Sequence, residues 1–269
     1  MKSLTAIAAL IFASTSVQAC GVSTDCTVGD RIYRIAVPEG GPDGAILFAH
    51  GYRGSAAGAI RNSNFRNMVT DMGLAFVALD AGASDDWHLP NSPSHPRSTG
   101  AREFDYVGDV IADLRENYDI ASDRIMVTGF SAGGMLVWNL ACARPDLAGG
   151  FAPVSGTFWL APPDTCTQPA ASIIHMHGDS DRIVPLAGRP IGTTHQGDVT
   201  DSLAFFRAFG GFTVTGTRAG PGLTCDQSAN ASGDILEFCQ FAGGHSFSRN
   251  YVRDAWERFV AAGQIAPDS

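Results

Sequence analysis

The sequence Ile125-Met-Val-Thr-Gly-Phe-Ser131-Ala-Gly-Gly134 decides how this chain is expected to fold. Its first four residues are apolar or β-branched and predict a buried strand, and residues 135–143 predict a helix. Between them lies a G-x-S-x-G turn centred on Ser131, which is the context of a nucleophile elbow. Glycines two residues before and after the serine leave room for the neighbouring strand and helix. The stretch therefore predicts a catalytic serine, with a merely structural glycine-rich turn as the alternative.

The composition is that of a folded, acidic, globular protein. The chain has 269 residues, of which 45% are hydrophobic and 17% charged, and its formal net charge is −9. An acidic chain without runs of Lys or Arg is a poor candidate for binding nucleic acid or an anionic membrane surface. The sequence has no internal repeat, linker or break in composition. We therefore expect one domain over residues 20–269, which we expect to be monomeric.

The order of apolar segments predicts an α/β fold. Residues 31–37 alternate between apolar and polar side chains, as in an antiparallel strand early in the chain. Residues 104–118 place apolar side chains three and four positions apart, as in an amphipathic helix. Short continuous apolar runs, typical of strands buried on both faces, occupy residues 45–49, 74–79, 125–128 and 172–176. This alternation predicts a mainly parallel sheet with helices on both faces.

The N-terminus has the three parts of an export signal. Lys2 provides the positive charge, residues 4–13 form an apolar run, and small residues precede Cys20 at the positions that a signal peptidase reads. We predict a signal peptide over residues 1–19 and a secreted mature protein, extracellular or periplasmic. Lipidation of Cys20 is the alternative, although Gln18 fits a lipobox poorly.

All six cysteines follow the predicted cleavage site, and an even number behind an export signal favours disulfides over free buried thiols. Six cysteines allow 15 pairings. We favour the pairing of nearest neighbours because each loop that it closes is short: Cys20–Cys26, Cys142–Cys166 and Cys225–Cys239.

A serine nucleophile needs a base and an acid that orients the base. In α/β-hydrolases these follow the serine in the order acid, then histidine. Asp179 and Asp181 come just after a predicted buried strand, at the end where such sheets form their sites. Two glycines precede His245, which follows a later predicted strand. His245 is therefore the candidate base, and the two aspartates are the candidate acids.

Together these motifs carry a family resemblance. The Gly-Phe-Ser-Ala-Gly-Gly turn, the His-Gly-x-x-Asp segment that begins at His177 and the Gly-Gly-His segment resemble the secreted esterases of the polyhydroxybutyrate depolymerase and feruloyl/acetylxylan esterase group, carbohydrate esterase family one. Residues 48–55 resemble the family's His-Gly oxyanion segment. The resemblance runs from about residue 31 to about residue 256 and implies an α/β-hydrolase fold.

The resemblance also assigns roles to residues. It implies that Ser131 is the nucleophile, His245 the base and Asp181, rather than Asp179, the acid. The backbone N–H groups of Ala132 and Tyr52 would form the oxyanion hole. The family often has a small residue at the position of Tyr52, and some polyester hydrolases have tyrosine there, so the substrate class stays open. The resemblance implies no metal and no organic cofactor.

Two further sets of residues have two interpretations each. Four side chains in the long loops at residues 82–100 and 155–170 could form a platform for an acyl or sugar group, or could pack over the sheet as core residues: Trp87, His88, Phe158 and Trp159. His175 and His177 lie two apart on one strand face, so a metal pair is conceivable. No acidic or cysteine ligand has metal spacing to them, and we favour a structural role.

We therefore expect a secreted serine esterase that acts on carboxylic esters through a Ser-His-Asp triad. Its substrate would be a polyhydroxyalkanoate-type polyester or oligomer, or a feruloyl or acetyl sugar ester. A secreted serine peptidase of the same fold is the alternative. A non-catalytic binding module is a third interpretation, but such a module is expected to have lost a triad member.

Overall fold

A ten-stranded sheet runs through the part of the chain that the structure, a computed structural model, describes, namely residues 20–84 and 86–266. The predicted signal peptide lies outside these residues. Two further short strands form a separate hairpin. The strands of the described residues are β1 (Cys26–Val28), β2 (Arg31–Ala36), β3 (Gly44–Ala49), β4 (Leu74–Leu79), β5 (Ile125–Phe130), β6 (Gly150–Val154), β7 (Ile173–Gly178), β8 (Arg189–Ile191), β9 (Thr194–Gln196), β10 (Thr213–Gly220), β11 (Leu223–Ala229) and β12 (Ile235–Phe241).

The centre of the large sheet is parallel and its edges are antiparallel. The strand order is β1-β2-β4-β3-β5-β6-β7-β12-β11-β10. Strands β4, β3, β5, β6, β7 and β12 run parallel to one another. Strands β1 and β2 at one edge, and β11 and β10 at the other, pair antiparallel to their neighbours. The carboxyl ends of the parallel strands therefore meet at one edge, where sheets of this kind form their sites.

Helices cover both faces of the sheet. The described α-helices are α1 (Ala56–Ile60), α2 (Ser63–Asp71), α3 (Ala101–Tyr118), α4 (Ala132–Ala143), α5 (Val199–Gly210) and α6 (Arg249–Ala261). One core cluster contains side chains of α3, α4 and α5, including Val107, Trp138 and Phe206. The other contains side chains of α1, α2 and α6, including Phe65 and Phe259. The prediction of an α/β-hydrolase fold with helices on both faces is confirmed.

Burial explains why the central strands read as continuous apolar runs. Every residue of β3, β4, β6 and β7 is buried, because helices pack against both faces of these strands. Complete burial of a Phe or Leu side chain contributes about 2 kcal/mol to folding before entropy is counted. At the edge, β2 shows the alternation that its sequence predicted, with buried residues interrupted by half-exposed ones.

Three disulfides join the pairs of cysteines that nearest-neighbour pairing predicts: Cys20–Cys26, Cys142–Cys166 and Cys225–Cys239. The second ties the end of α4 to the long loop that follows β6. The third joins facing residues of β11 and β12. Within the described part of the chain, no helix has both the length and the apolar character needed to cross a membrane.

Candidate active site

Ser131 lies at the carboxyl end of β5, where the chain turns sharply into α4. Its backbone has φ 59° and ψ −119°, a conformation that costs a non-glycine residue about 1–3 kcal/mol. The surrounding structure holds this conformation, since the N–H of Ser131 donates to the carbonyl of Val154 at 2.9 Å. The next residue begins α4, so the serine stands at the positive end of that helix dipole.

Close packing explains the glycines that surround the serine. A Cβ on Gly129 would lie 2.5 Å from the backbone of Gly133, and a Cβ on Gly133 would lie 2.0 Å from the carbonyl oxygen of Ala49. A Cβ on Gly134 would lie 2.6 Å from the carbonyl oxygen of Val154. Any side chain at these positions would push the turn away from its neighbouring strands. The expected reason for the glycines, contact with the adjacent strand and helix, agrees with these distances.

Asp181 and His245 contact each other on the loops that follow β7 and β12. The Nδ1 atom of His245 lies 2.7 Å from Oδ2 of Asp181, and the other carboxylate oxygen accepts the backbone N–H groups of Ile183 and Val184 at 2.8 and 2.9 Å. The aspartate side chain is fully buried, and that of the histidine is 14% exposed. The carboxylate thus has fixed donors on both oxygens and orients one ring nitrogen of His245.

Electrostatics keep Asp181 ionised. Burial alone would raise the pKa of its carboxyl group, but the hydrogen bonds from His245, Val184 and Ile183 outweigh burial and hold the pKa below its usual value. An ionised carboxylate accepts the Nδ1–H of His245, which leaves the Nε2 atom of that ring as the site that can take a proton. This is the tautomer that a general base requires.

Asp179 bonds to backbone and does not contact the His245 ring in the same way as Asp181. Its Oδ1 accepts the backbone N–H of Gly243 at 3.0 Å, and the N–H of Ser180 donates to the carbonyl of Gly243. The loop after β7 is therefore bonded to the loop that carries His245. A Cβ on Gly178 would lie 2.4 Å from the carbonyl oxygen of Gly244, so this contact requires a glycine. Asp179 holds the histidine loop, whereas Asp181 contacts the histidine itself.

Aromatic rings hold His245 beside the serine turn. The His245 ring lies 4.6 Å from that of Phe130, the residue before Ser131. The Phe130 ring in turn packs at 5.9 Å against Phe247, which also contacts Phe48 and Phe65 at 5.3 and 5.2 Å. The sequence analysis did not identify Phe130 or Phe247. The sequence does contain one relevant signal, because Phe247 is an aromatic residue two positions after the candidate base His245.

The segment from His50 to Tyr52 runs past the serine turn. A Cβ on Gly51 would lie 3.5 Å from Cβ of Ser131, so this backbone approaches the serine closely. His50 accepts the N–H of Ala81 on Nε2 at 3.2 Å and faces the carbonyl of Gly51 with Nδ1 at 2.8 Å. The indole N–H of Trp87 donates to the carbonyl of His50 at 2.8 Å. These bonds fix the segment in which the oxyanion-hole residue Tyr52 was predicted.

A cavity of about 470 Å³ opens beside Ser131 and Ala132. Its wall is largely apolar, with five polar side chains among the apolar and aromatic ones. The apolar and aromatic lining residues include Tyr52, Met135, Trp159, Ile183 and Ile191, and the polar ones are Asp86, Ser94, Ser131, Arg189 and Gln196. A cavity of this size accommodates a small organic group next to the serine hydroxyl.

The hairpin of β8 and β9 forms one wall of this cavity. The Nε–H of Arg189 donates to the carbonyl of Ile183 at 2.8 Å and to the side-chain oxygen of Gln196 at 3.2 Å. The loop after β6 is bonded to the same hairpin, since the N–H of Leu160 donates to the carbonyl of His195 at 2.7 Å. Trp159 bridges to Gln196 in an antiparallel pair. The tryptophan therefore reaches the cavity on a segment that is fixed at both sides.

The four predicted substrate-platform residues lie in different places. Trp159 lines the cavity. Trp87 and Phe158 are buried in the core, 1% and 3% exposed, and have the packing role that was the alternative interpretation. His88 stacks on His95 at 3.5 Å and is not among the residues that line the cavity. Residues 183–196 contribute several cavity side chains that the sequence did not single out, because nothing in the sequence indicates how this hairpin folds back.

Comparison with known proteins gives relatives that are described as esterases. The chain is 29% identical over 165 residues to NocK of Nocardia uniformis subsp. tsuyamanensis, whose name designates it an esterase; the match covers 59% of this chain and 47% of NocK. It is 27% identical over 85 residues to the bifunctional acetylxylan esterase/xylanase XynS20E of Neocallimastix patriciarum, covering 32% of this chain and 12% of that protein. The chain thus spans less than half the length of these relatives.

Solved structures share the fold at low sequence identity. The acetyl xylan esterase from Aspergillus awamori has a TM-score of 0.63 and 13% identity, over 86% of this chain and 94% of that one. The feruloyl esterase module from Clostridium thermocellum, in complex with sinapinate, has a TM-score of 0.56 and 14% identity, over 86% and 84% of the two chains. Residues 31–191, more than half of the chain, match the phospholipase/carboxylesterase family. The chain therefore belongs to the phospholipase/carboxylesterase family of α/β-hydrolases.

Proposed function

We propose that this protein is a serine esterase that hydrolyses carboxylic esters in the cavity beside Ser131. The observation that carries the proposal is the hydrogen bond between Asp181 and His245, whose ring packs on Phe130, the residue before a serine on a strained strand-to-helix turn. A buried acid, an oriented imidazole and a serine are the parts that acyl transfer requires. Membership of a carboxylesterase family supports the same chemistry.

In the proposed mechanism the Oγ atom of Ser131 attacks the ester carbonyl carbon while Nε2 of His245 takes the serine proton. Asp181 stabilises the imidazolium that forms and does not itself take the proton. The backbone N–H groups of Ala132 and Tyr52 would bind the developing oxyanion, and one such donor is typically worth about 3 kcal/mol. His245 then protonates the leaving alcohol, which gives an acyl-serine.

The second half of the reaction uses the same groups. His245 accepts a proton from water, the hydroxide attacks the acyl carbonyl, and Ser131 leaves with the proton that His245 returns. The chemistry needs no metal ion and no organic cofactor. The His245 side chain is 14% exposed, so water can reach the imidazole from solvent.

The lining of the cavity favours esters with an apolar acyl or alcohol group. Two of its side chains, Tyr52 and Ile183, are 58% and 51% exposed at the rim, and Leu160 beside Trp159 is 50% exposed. Solvated apolar groups around a site mark a surface that a hydrophobic ligand covers. We therefore favour an apolar ester, such as a polyhydroxyalkanoate-type polyester or oligomer, over a feruloyl or acetyl sugar ester.

We further propose that residues 20–269 form a single catalytic domain of an exported protein. The export signal predicted over residues 1–19 supports secretion, and the three disulfides of the described residues suit an oxidising compartment. Mass spectrometry of the secreted protein tests the export signal and the state of Cys20 in this proposal. A mature chain that begins at an unmodified Cys20 agrees with it, and a lipid on Cys20 or an uncleaved chain contradicts it.

The function is tested with a panel of p-nitrophenyl esters, feruloyl and acetyl sugar esters, polyhydroxybutyrate film and peptides. We expect kcat/KM to rise about fourfold for each acyl methylene that the cavity buries. Ile183→Ser should reduce this gain, while Val214→Ser, which is exposed on β10, serves as the matched control. Cleavage of peptides without cleavage of esters would favour the peptidase, and no hydrolysis at all would favour a binding module.

A further inference from the structure

Two buried histidines on β7 lie directly behind the proposed catalytic acid. Nε2 of His175 lies 3.0 Å from Nδ1 of His177, and neither residue is exposed. At one end of the pair, Nδ1 of His175 lies 3.1 Å from the carbonyl oxygen of Pro153. At the other end, Nε2 of His177 lies 2.8 Å from the carbonyl oxygen of Val184. The two rings therefore form a row of three short contacts between two carbonyl oxygens.

The row has three contacts but fewer protons to share among them. A neutral imidazole has one N–H group, so two neutral rings can make only two of the three contacts into hydrogen bonds. Burial lowers the pKa of His175 well below its usual value. Burial also lowers the pKa of His177, although the carbonyl of Val184 and the carboxylate of Asp181 raise it and His245 lowers it. Both rings are therefore neutral near pH 7, and one contact has no proton.

The position of Asp181 determines which nitrogen of His177 carries its proton. Nε2 of His177 lies 3.5 Å from Oδ2 of Asp181 as well as 2.8 Å from the carbonyl oxygen of Val184. Both neighbours only accept hydrogen bonds, so a lone pair on Nε2 would be repelled by both. With its proton on Nε2, His177 presents a lone pair on Nδ1 to His175. We infer that His175 donates its single proton from Nε2 to this lone pair at 3.0 Å, which leaves the longer 3.1 Å contact at Pro153 without a proton.

We propose that His177 is a positioning residue for Asp181, held as the neutral Nε2–H tautomer by the Nε2–H of His175. This inference rests on the proposed function. The N–H of His177 acts on the acid by two routes. It donates to the carbonyl of Val184, whose own N–H donates to Oδ1 of Asp181. It also faces Oδ2 at 3.5 Å, an electrostatic contact that stabilises the carboxylate in the orientation that meets His245.

The surroundings of the pair favour this role over metal binding. The His175 ring packs between Trp138 at 5.3 Å and Phe238 at 5.8 Å. Three of the four ring nitrogens in the pair face each other or a carbonyl group, and the fourth faces both a carbonyl group and Asp181. The row thus uses all four nitrogens in protein contacts. In this row each N–H is directed away from Pro153, and the last N–H faces Asp181.

Substitution of His177 separates positioning from packing. His177→Phe keeps a ring in the core and removes the N–H, so we expect kcat to fall about 10-fold, because the hydrogen bond to Val184 and the contact with the Asp181 carboxylate are both lost. KM for a p-nitrophenyl ester should stay within about twofold, because His177 does not line the cavity. His177→Gln keeps an N–H near Nε2 and should restore most of the lost kcat. His175→Phe removes the donor that holds this tautomer and should lower kcat in the same direction. Val214→Ser, exposed on β10, is the control and should leave kcat unchanged.

The tautomer is measured directly by NMR on the full chain with ¹⁵N-labelled histidine. We expect both His175 and His177 to carry their single proton on Nε2 near pH 7. A proton on Nδ1 of His177, in a neutral ring or a cation, would overturn the proposal, as would equal kcat in His177→Phe and His177→Gln. This spectrum does not depend on activity. If the esters are not hydrolysed, or Ser131→Ala hydrolyses them equally well, the proposed function fails while the tautomer is still determined.

Discussion

The Nδ1 atom of His245 lies 2.7 Å from Oδ2 of Asp181, although the two residues are 64 positions apart in the sequence. The loops that carry them are also bonded to each other, because Asp179 accepts the backbone N–H of Gly243 on the histidine loop. The contact therefore depends on two aspartates that are two residues apart and have different partners. One bonds to the histidine and the other bonds to its loop.

This division predicts different outcomes for two matched substitutions. Asp181→Asn should lower kcat by about 10⁴-fold, because an amide in place of the carboxylate favours the wrong tautomer of His245. Asp179→Asn should keep most of the activity, since an amide oxygen can still accept the N–H of Gly243. Steady-state kinetics on a p-nitrophenyl ester compare the two variants. A larger loss in Asp179→Asn than in Asp181→Asn would mean that the acid has been assigned to the wrong residue.

Replacement of the serine tests the nucleophile. Ser131→Ala should lower ester hydrolysis at least about 10³-fold and leave the protein folded, because triad members act as a unit. Ser94→Ala is the matched control, since Ser94 also lines the cavity but lies far from the serine turn in sequence. Circular dichroism checks the fold of both variants. Wild-type turnover in purified Ser131→Ala would contradict the assignment.

Much of the central sheet could be predicted from the sequence because its strands are buried on both faces. The runs within β3, β4, β5 and β7 are continuous and apolar, so the prediction needed no knowledge of their partners. The triad candidates could be predicted because each lies in a short motif that contains glycines. Glycines in such motifs indicate that the backbone packs closely against its neighbours. These are local properties, and the sequence contains them directly.

The wall of the cavity could not be predicted in the same way. The hairpin of β8 and β9 reaches the site through pairing with Trp159 and through Arg189, and such contacts depend on loops that fold back. Trp87 and Trp159 look alike in the sequence, as single tryptophans in long loops. One is buried beneath His50 and the other lines the cavity, and only the path of each loop decides between these positions.

A buried acid on the last of the parallel strands predicts how stability depends on pH. Glu237 on β12 is fully buried and bonds to Arg218, Arg258 and Gln227. Burial alone would raise its pKa, but these three hydrogen bonds outweigh burial and hold the pKa below its usual value. A depressed pKa contributes stability that is present above the unfolded-state pKa and is lost as the pH falls through the folded-state pKa.

Glu237→Gln should therefore lower the free energy of unfolding at pH 7 by about 2 kcal/mol, because it removes a buried carboxylate that bonds two half-buried guanidinium groups, of which Arg218 keeps its bond to Asp254. The difference from the wild type should shrink as the pH falls below the ordinary glutamate pKa of about 4.3 and then through the lower folded-state pKa of Glu237, where the wild-type carboxyl group also becomes protonated. Urea denaturation at a series of pH values measures both effects. Glu116→Gln, exposed on α3, is the control. A difference that stays constant with pH would show that charge is not the cause.

We predict that removal of different disulfides lowers the free energy of unfolding by different amounts. Cys142–Cys166 ties the helix that begins beside Ser131 to the loop that carries Trp159, and its cysteines are 24 positions apart. Loop-closure entropy gives about 3 kcal/mol for this length and about 2 kcal/mol for the shorter loop closed by Cys20–Cys26. The double variant Cys142→Ala/Cys166→Ala should therefore lose more stability than Cys20→Ala/Cys26→Ala in urea denaturation. It should also lower kcat/KM, because the loop that carries Trp159 would keep its contacts to the β8–β9 hairpin but lose its tie to α4, whereas removal of the N-terminal bridge should leave kcat/KM unchanged. Peptide mapping of the non-reduced protein checks the pairing itself, and free thiols at Cys142 and Cys166, or a bridge from either to another cysteine, would contradict this account of how the loop is held.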